Sequence, residues 1–175
     1  MLSYLVNGAF IAEPPVIAAY VLTPAILPPL VGAVFLAILS LYSWRRRSVP
    51  AALPLSAGSL FGALWLLGIV FEVAAIAPVH KIAWHKFQAA WQLPAATAMA
   101  CFALEFASPG RWLTRRNLTL LALPPLVVLF VIATSDAQYM WRRLEFGPDG
   151  LLVRIFNLPG AILTAYGLSL ILINA

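Results

Sequence analysis

Charge is scarce in this sequence. Only 10% of its 175 residues are charged, and Asp and Glu together number 6 against 11 Lys and Arg. Soluble domains carry about 25% charged residues, so this chain cannot dress the surface of a water-soluble globule. Cysteine occurs once, at Cys101, which excludes an internal disulfide, and neither a CxxC pair nor a Cys/His metal spacing is present. No Ser/His/Asp set, zincin helix or Walker loop is found. That argues against an enzyme, and nothing in the residue pattern asks for a metal or a cofactor. Alternating ten-residue strands are missing, which excludes a membrane β-barrel. No basic stretch precedes the first apolar segment and no small-residue cleavage site follows it, so a cleaved signal peptide is not expected.

What the chain does have is apolar sequence: 63% hydrophobic residues and a mean hydropathy of +0.94. It falls in blocks of roughly 18 to 25 residues, and a helix rising ~1.5 Å per residue needs ~20 to cross ~30 Å of hydrocarbon. A helix is also the spanning structure that satisfies its own backbone in lipid. The expected fold is an all-α, polytopic transmembrane bundle of about five spans, multi-pass in the cell inner (plasma) membrane. The lipid bilayer is its first partner. The net charge of +5 comes from arginines in short loops, where insertion topology accounts for them and no nucleic acid is needed.

Residues 1–24, with Glu13, Pro14 and Pro15, read as an extracytoplasmic or interfacial segment ahead of the bundle at 25–175. Spans are expected at Ala25–Tyr42, starting as early as Val16 if the helix bends at Pro24, Pro28 and Pro29, then at Ala51–Ala75 and Trp84–Phe106. The fourth, Leu118–Ala133, should be kinked or locally unwound at Pro124 and Pro125, and a polar loop from Thr134 to Arg154 leads to a fifth at Ile155–Asn174. In the second span Ser56, Gly58 and Gly62 would let a neighbour approach closely. The GxxxG pair supports packing and is compatible with a homodimer without requiring one.

Arg45, Arg46, Arg47, Arg111, Arg115 and Arg116 lie in loops on one side, tight against helix ends. Lys81, Lys86, Arg142, Arg143 and Arg154 lie on the other, diluted by Asp136, Glu145 and Asp149. The first side is expected in the cytoplasm, with the N-terminus outside and the C-terminus inside. Trp44 and Trp112 then mark the inner interface, Trp84 and Trp141 the outer one.

The stretches LPAATAMACFALEFASPGRWLTRR and LLALPPLVVLFVIATSDAQYMW resemble the core of the N-terminal seven-helix sensor region of some bacterial and archaeal histidine kinases. The matching residues are Pro94, Phe102, Phe106, Trp112, Leu113, Arg115, Arg116, Pro124, Thr134 and Trp141, and Trp65 and Glu72 fit the second helix of that family. The resemblance covers about Ala25 to Asn174. Ser135 and Gln138 stand where the family pattern has Asn and His. The resemblance implies a membrane-embedded sensory input module that is not itself an enzyme, working with a kinase or another cytoplasmic signalling partner. The alternatives are a small transporter or channel-like protein, with Pro94 and Pro124-Pro125 marking discontinuous helices, or a structural subunit of a membrane complex.

Glu72 is the polar residue that most needs explaining, since a carboxylate near hydrocarbon is costly and usually faces a partner inside the bundle. It serves either as an interfacial acid that binds water or Lys81, or as a ligand or proton site. Trp65 lies two turns away on the same face. Gln88 and Gln92 are one turn apart near the outer end of the third span, beside Trp84 and Trp91, and Asp136 closes the fourth span. Trp65, Glu72, Gln88, Trp91, Gln92, Thr134, Asp136 and Gln138 therefore form the expected ligand-binding set around an outward-facing pocket. His80 and His85, five apart, do not share a helical face, so a bis-His metal or haem site within this segment is not expected. Glu105 is expected to pair with Arg111.

Overall fold

Proline sets where the helices begin. Pro24 opens a single 3-10 turn, Pro24–Ile26, and Pro28 and Pro29 sit in the first turn of α1, Leu27–Arg45, where a missing N–H costs nothing. Pro50 precedes α2, Ala52–Ala74, whose first turn follows Ala51 at a left-handed φ of 64°. Pro78 opens α3, Pro78–Ala107, and α4 runs Arg115–Thr134. This computed structural model describes residues 5–6, 9–10, 20–134, 141–146, 152–156, 161, 164–167 and 169.

Among the described residues three helices are long and apolar enough to cross a membrane: Pro24–Arg45, Ala52–Ala74 and Arg115–Ile132. The third expected span lies inside α3, which begins two turns earlier and absorbs most of the connection expected at 76–83. At 30 residues, α3 is ~45 Å long against ~30 Å of hydrocarbon. Its first turns, with His80 and Lys81, have room to stand clear of the apolar layer. Pro94 lies inside α3, and Pro124 and Pro125 inside α4, yet both helices run unbroken. The local unwinding expected at Pro124-Pro125 is not seen.

Beyond α4 the chain differs from the expected loop. Trp141–Phe146 (β3) and Leu152–Phe156 (β4) form an antiparallel pair, Leu144 opposite Arg154, with an irregularity between Trp141 and Arg143. Ile155 and Phe156 therefore belong to a strand, so a fifth span cannot start at Ile155. Helical residues reappear at 161, 164–167 and 169, and Tyr166 there donates its hydroxyl to the Leu121 carbonyl of α4 at 3.3 Å. Near the N-terminus Leu5–Val6 (β1) pairs with Ala9–Phe10 (β2). Strands of six residues or fewer span at most ~20 Å, too short to cross.

α2 is the central helix, packed against α1 on one side and α3 on the other, while α4 packs on α3. Lipid offers little hydrophobic drive between helices, so such contacts rest on small residues and interhelical hydrogen bonds. Ser40 and Ser56 exchange hydrogen bonds, each hydroxyl donating to the other residue's backbone carbonyl at 2.9 Å. A Cβ on Gly62 would stand 2.9 Å from Leu36 Cδ1 of α1, and one on Gly58 2.8 Å from Met99 Sδ of α3. The GxxxG pair is thus consumed inside the chain, one glycine toward each neighbour. Large apolar side chains face outward along α1 (Val31, Phe35, Ile38) and α4 (Leu123, Leu126, Phe130), as lipid-facing surfaces do.

The paired serines should couple. In a double-mutant cycle of Ser40→Ala and Ser56→Ala, with stability in bilayers or micelles as the readout, the coupling energy should be about 0.6 to 1.7 kcal/mol, the range for polar contacts between membrane helices. Strict additivity would show that the bonds do not hold α1 to α2.

Candidate functional site

The site grows from one carboxylate. Glu72 lies in the last turn of α2, and its residue is only 4% exposed. α3 descends beside it and supplies two partners, His85 and Gln88, which are 5% and 4% exposed. His85 Nδ1 lies 3.1 Å from Glu72 Oε2, and Gln88 Nε2 donates to the same oxygen. His85 and Gln88 are three residues apart, hence on one face of α3. Hydrogen bonds to an ionised acceptor are the strong ones, and a buried carboxylate without them would be prohibitive. Lys81 Nζ donates to the Glu72 backbone carbonyl at 3.3 Å, one of the carbonyls that the end of a helix leaves without an internal donor.

Glycine makes the approach possible. Gly68 is one turn before Glu72 on the same face of α2, and a Cβ there would meet Gln88 Cγ at 2.5 Å and Phe87 Cδ1 at 3.1 Å. Any larger residue would push Gln88 away from the carboxylate.

An aromatic chain borders this cluster. Tyr20 stacks on His80 at 5.6 Å, and Phe71 stacks on Trp84 at 4.5 Å. Phe87 meets Trp84 and Trp91 edge-on, and Trp91 stacks on Phe61 at 5.8 Å. Trp84 Nε1 donates to the Tyr20 hydroxyl at 3.0 Å, and Val21 N–H donates to the Ala74 carbonyl at 2.7 Å. The segment just before α1 is thereby fastened over the end of α2, with Tyr20 and Ala75 in an isolated antiparallel bridge.

The expected site residues fall into separate groups. Glu72 and Gln88 come together, and His85 joins them. Trp65 and Gln92 instead line a groove of about 730 Å³ between α1, α2 and α3, with Ser59, Leu36, Met99 and Phe102. Trp91 belongs to the aromatic chain. Thr134 is exposed and its hydroxyl donates to Phe130 O of its own helix at 2.7 Å. Asp136 and Gln138 lie outside the described residues. Glu105 does not pair with Arg111; its Oε1 accepts the Gly110 N–H at 3.0 Å.

His85 and Gly68 were not in the expected set. A signal for His85 existed in the sequence: Lys81, His85, Gln88 and Gln92 recur at intervals of four, three and four, one polar stripe down α3. Weighing His85 only against His80 hides it. The two histidines do have different neighbours, Glu72 for one and Tyr20 for the other. For Gly68 no one-dimensional signal distinguishes it from other small residues of α2.

Gly68→Ala should destabilise the folded chain by about 1 to 3 kcal/mol, the usual cost of overpacking. In a Gln88→Ala background the same substitution should cost markedly less, because the clashing side chain is gone. Equal costs in both backgrounds, measured by unfolding in micelles, would sink this account of Gly68.

No curated protein and no solved structure matches the chain. A protein-family model, described as the N-terminal 7TM region of histidine kinase, matches residues 28–175, which includes α2, α3 and the Glu72 cluster between them. The chain is therefore a multi-pass membrane protein that belongs to the family of N-terminal 7TM regions of histidine kinases.

Proposed function

We infer that this chain is a non-catalytic sensory input module of the inner membrane, with about five spans, the N-terminus outside and the C-terminus inside, working through a cytoplasmic kinase. The observation that carries the reading is the buried carboxylate of Glu72, held by His85 and Gln88 of the following helix. An ionisable residue inside a membrane helix is rare and marks function by default. Here it also ties together two helices whose other ends carry the arginine loops. A stimulus at the outer end shifts the population between two packings of α2 against α3, and the shift is read at the cytoplasmic loops.

The groove lined by Trp65 and Gln92 is the place for a ligand. Its volume of about 730 Å³ falls within the ~300 to 1,000 Å³ of small-molecule sites, and its walls are apolar with a few polar groups. The transporter alternative loses its main support, because α3 and α4 run unbroken through the prolines that were to interrupt them.

With the chain joined to the catalytic region of a histidine kinase, Glu72→Gln should keep the shape of the cluster, remove its charge and change basal autophosphorylation by at least about fivefold, equivalent to ~1 kcal/mol in the balance between packings. Gln88→Ala should move output in the same direction. Folded, membrane-inserted variants with unchanged output would overturn the reading. Labelling of a cysteine placed by Ser48→Cys in a Cys101→Ala background, accessible from the cytoplasm only, would support the orientation.

A further inference from the structure

The end of the bundle opposite Glu72 carries a feature that the packing of α2 against α3 does not explain. Arg45, Arg46, Arg47, Arg111, Arg115 and Arg116 are all exposed there, and among the described residues none of them forms an ion pair with a carboxylate. Three lie over aromatic rings at the level of the helix ends: Arg46 at 5.0 Å from the Tyr42 centroid, Arg47 at 5.6 Å from Trp44 and Arg111 at 5.9 Å from Trp112. A guanidinium resting on a ring keeps its N–H fork free for an oxyanion.

Between the first turns of α2, the last third of α3 and the start of α4 lies a groove of about 700 Å³, lined by Trp44 and Arg47 and walled by Leu53, Pro54, Leu113 and Leu118. Its one carboxylate, Glu105, accepts the Gly110 N–H at Oε1, and its Oε2 is buried with no hydrogen-bond partner among the described residues. Arg47 is the cation in the lining of the groove.

We propose that this groove binds an anionic phospholipid, its phosphate on Arg47 with Trp44 at headgroup level, and an acyl chain along Leu53, Leu113 and Leu118. Charge and shape select this occupant together. A soluble anion gains nothing from apolar walls, and a neutral lipid leaves the arginine unmatched. Insertion topology accounts for arginines in these loops, but it does not account for an apolar groove that opens beside one of them. Basic pockets between membrane helices are suited to anionic headgroups.

The test uses the whole chain in phosphatidylcholine vesicles titrated with dibrominated phosphatidylglycerol, which quenches nearby tryptophan. Quenching should contain a saturable component at a few mole per cent, and Trp44→Phe should remove it. Arg47→Gln should raise the half-saturating mole fraction about tenfold. Arg116→Gln, which removes the same charge outside the groove, should change it less than twofold. Ala57→Phe, which fills the groove with every arginine in place, should abolish saturation while circular dichroism shows the helices intact. Equal effects of the two arginine substitutions would mean diffuse attraction of anionic lipid to a basic surface and would overturn the site. So would saturable quenching by dibrominated phosphatidylcholine, or saturation that survives Ala57→Phe. If Arg47→Gln does not fold, the Ala57→Phe and Trp44→Phe results decide.

Discussion

A carboxylate in the last turn of a membrane helix constrains everything around it. Glu72 can stay buried only if donors reach it, and donors reach it only from a helix that comes very close. That closeness is set by Gly68, which leaves room for the stem of Gln88, and by the spacing of His85 and Gln88 on one face of α3. The aromatic chain from Tyr20 to Phe61 packs beside the same cluster and keeps apolar surface against it. Remove the carboxylate, and His85 and Gln88 lose the acceptor they share, leaving the Lys81 bond to the Glu72 carbonyl as a polar tie between α3 and this end of α2.

The register is the same along the whole interface. Glu72 faces His85, Gly68 faces Gln88, Phe61 stacks on Trp91, and Gly58 faces Met99. Toward α1, Gly62 meets Leu36 and Ser56 meets Ser40. Both faces of the central helix thus combine glycine contacts with a polar pair. Such interfaces are close-packed, and close-packed interfaces move between discrete arrangements more readily than they deform.

The apolar helices α1, α2 and α4 were legible in the sequence because hydrocarbon thickness imposes a length on apolar blocks, and α2 came within a residue of its expected ends. The start of α3 was not legible. His80, Lys81 and Lys86 give that stretch the polarity of a loop, yet Pro78 is a good first residue of a helix and the polar stripe of α3 turns inward to α2. The strand pair after α4 was hidden in a segment whose mixed polarity reads as a loop. For the site, Glu72 and Gln88 stood out because polar residues in apolar helices do. What sequence could not supply was rotation: two turns separate Trp65 from Glu72, but only the packing shows that one lines a groove and the other closes on α3.

The two ends of the bundle are held differently. At the arginine end α1, α2 and α3 are locked by Ser40 on Ser56 and by Gly58 on Met99. At the other end one carboxylate oxygen shared by two side chains joins α2 to α3, beside the Phe71–Trp84 stack and the Lys81 bond to the Glu72 carbonyl. Between the ends sits Pro94, buried in α3, which has no N–H for the carbonyl one turn back and so weakens the helix there. The half of α3 before Pro94 carries the partners of Glu72, and the half after it packs against Gly58. α2 joins the two halves, since it is bonded to α1 through Ser56 and touches α3 at Gly58 and Gly68.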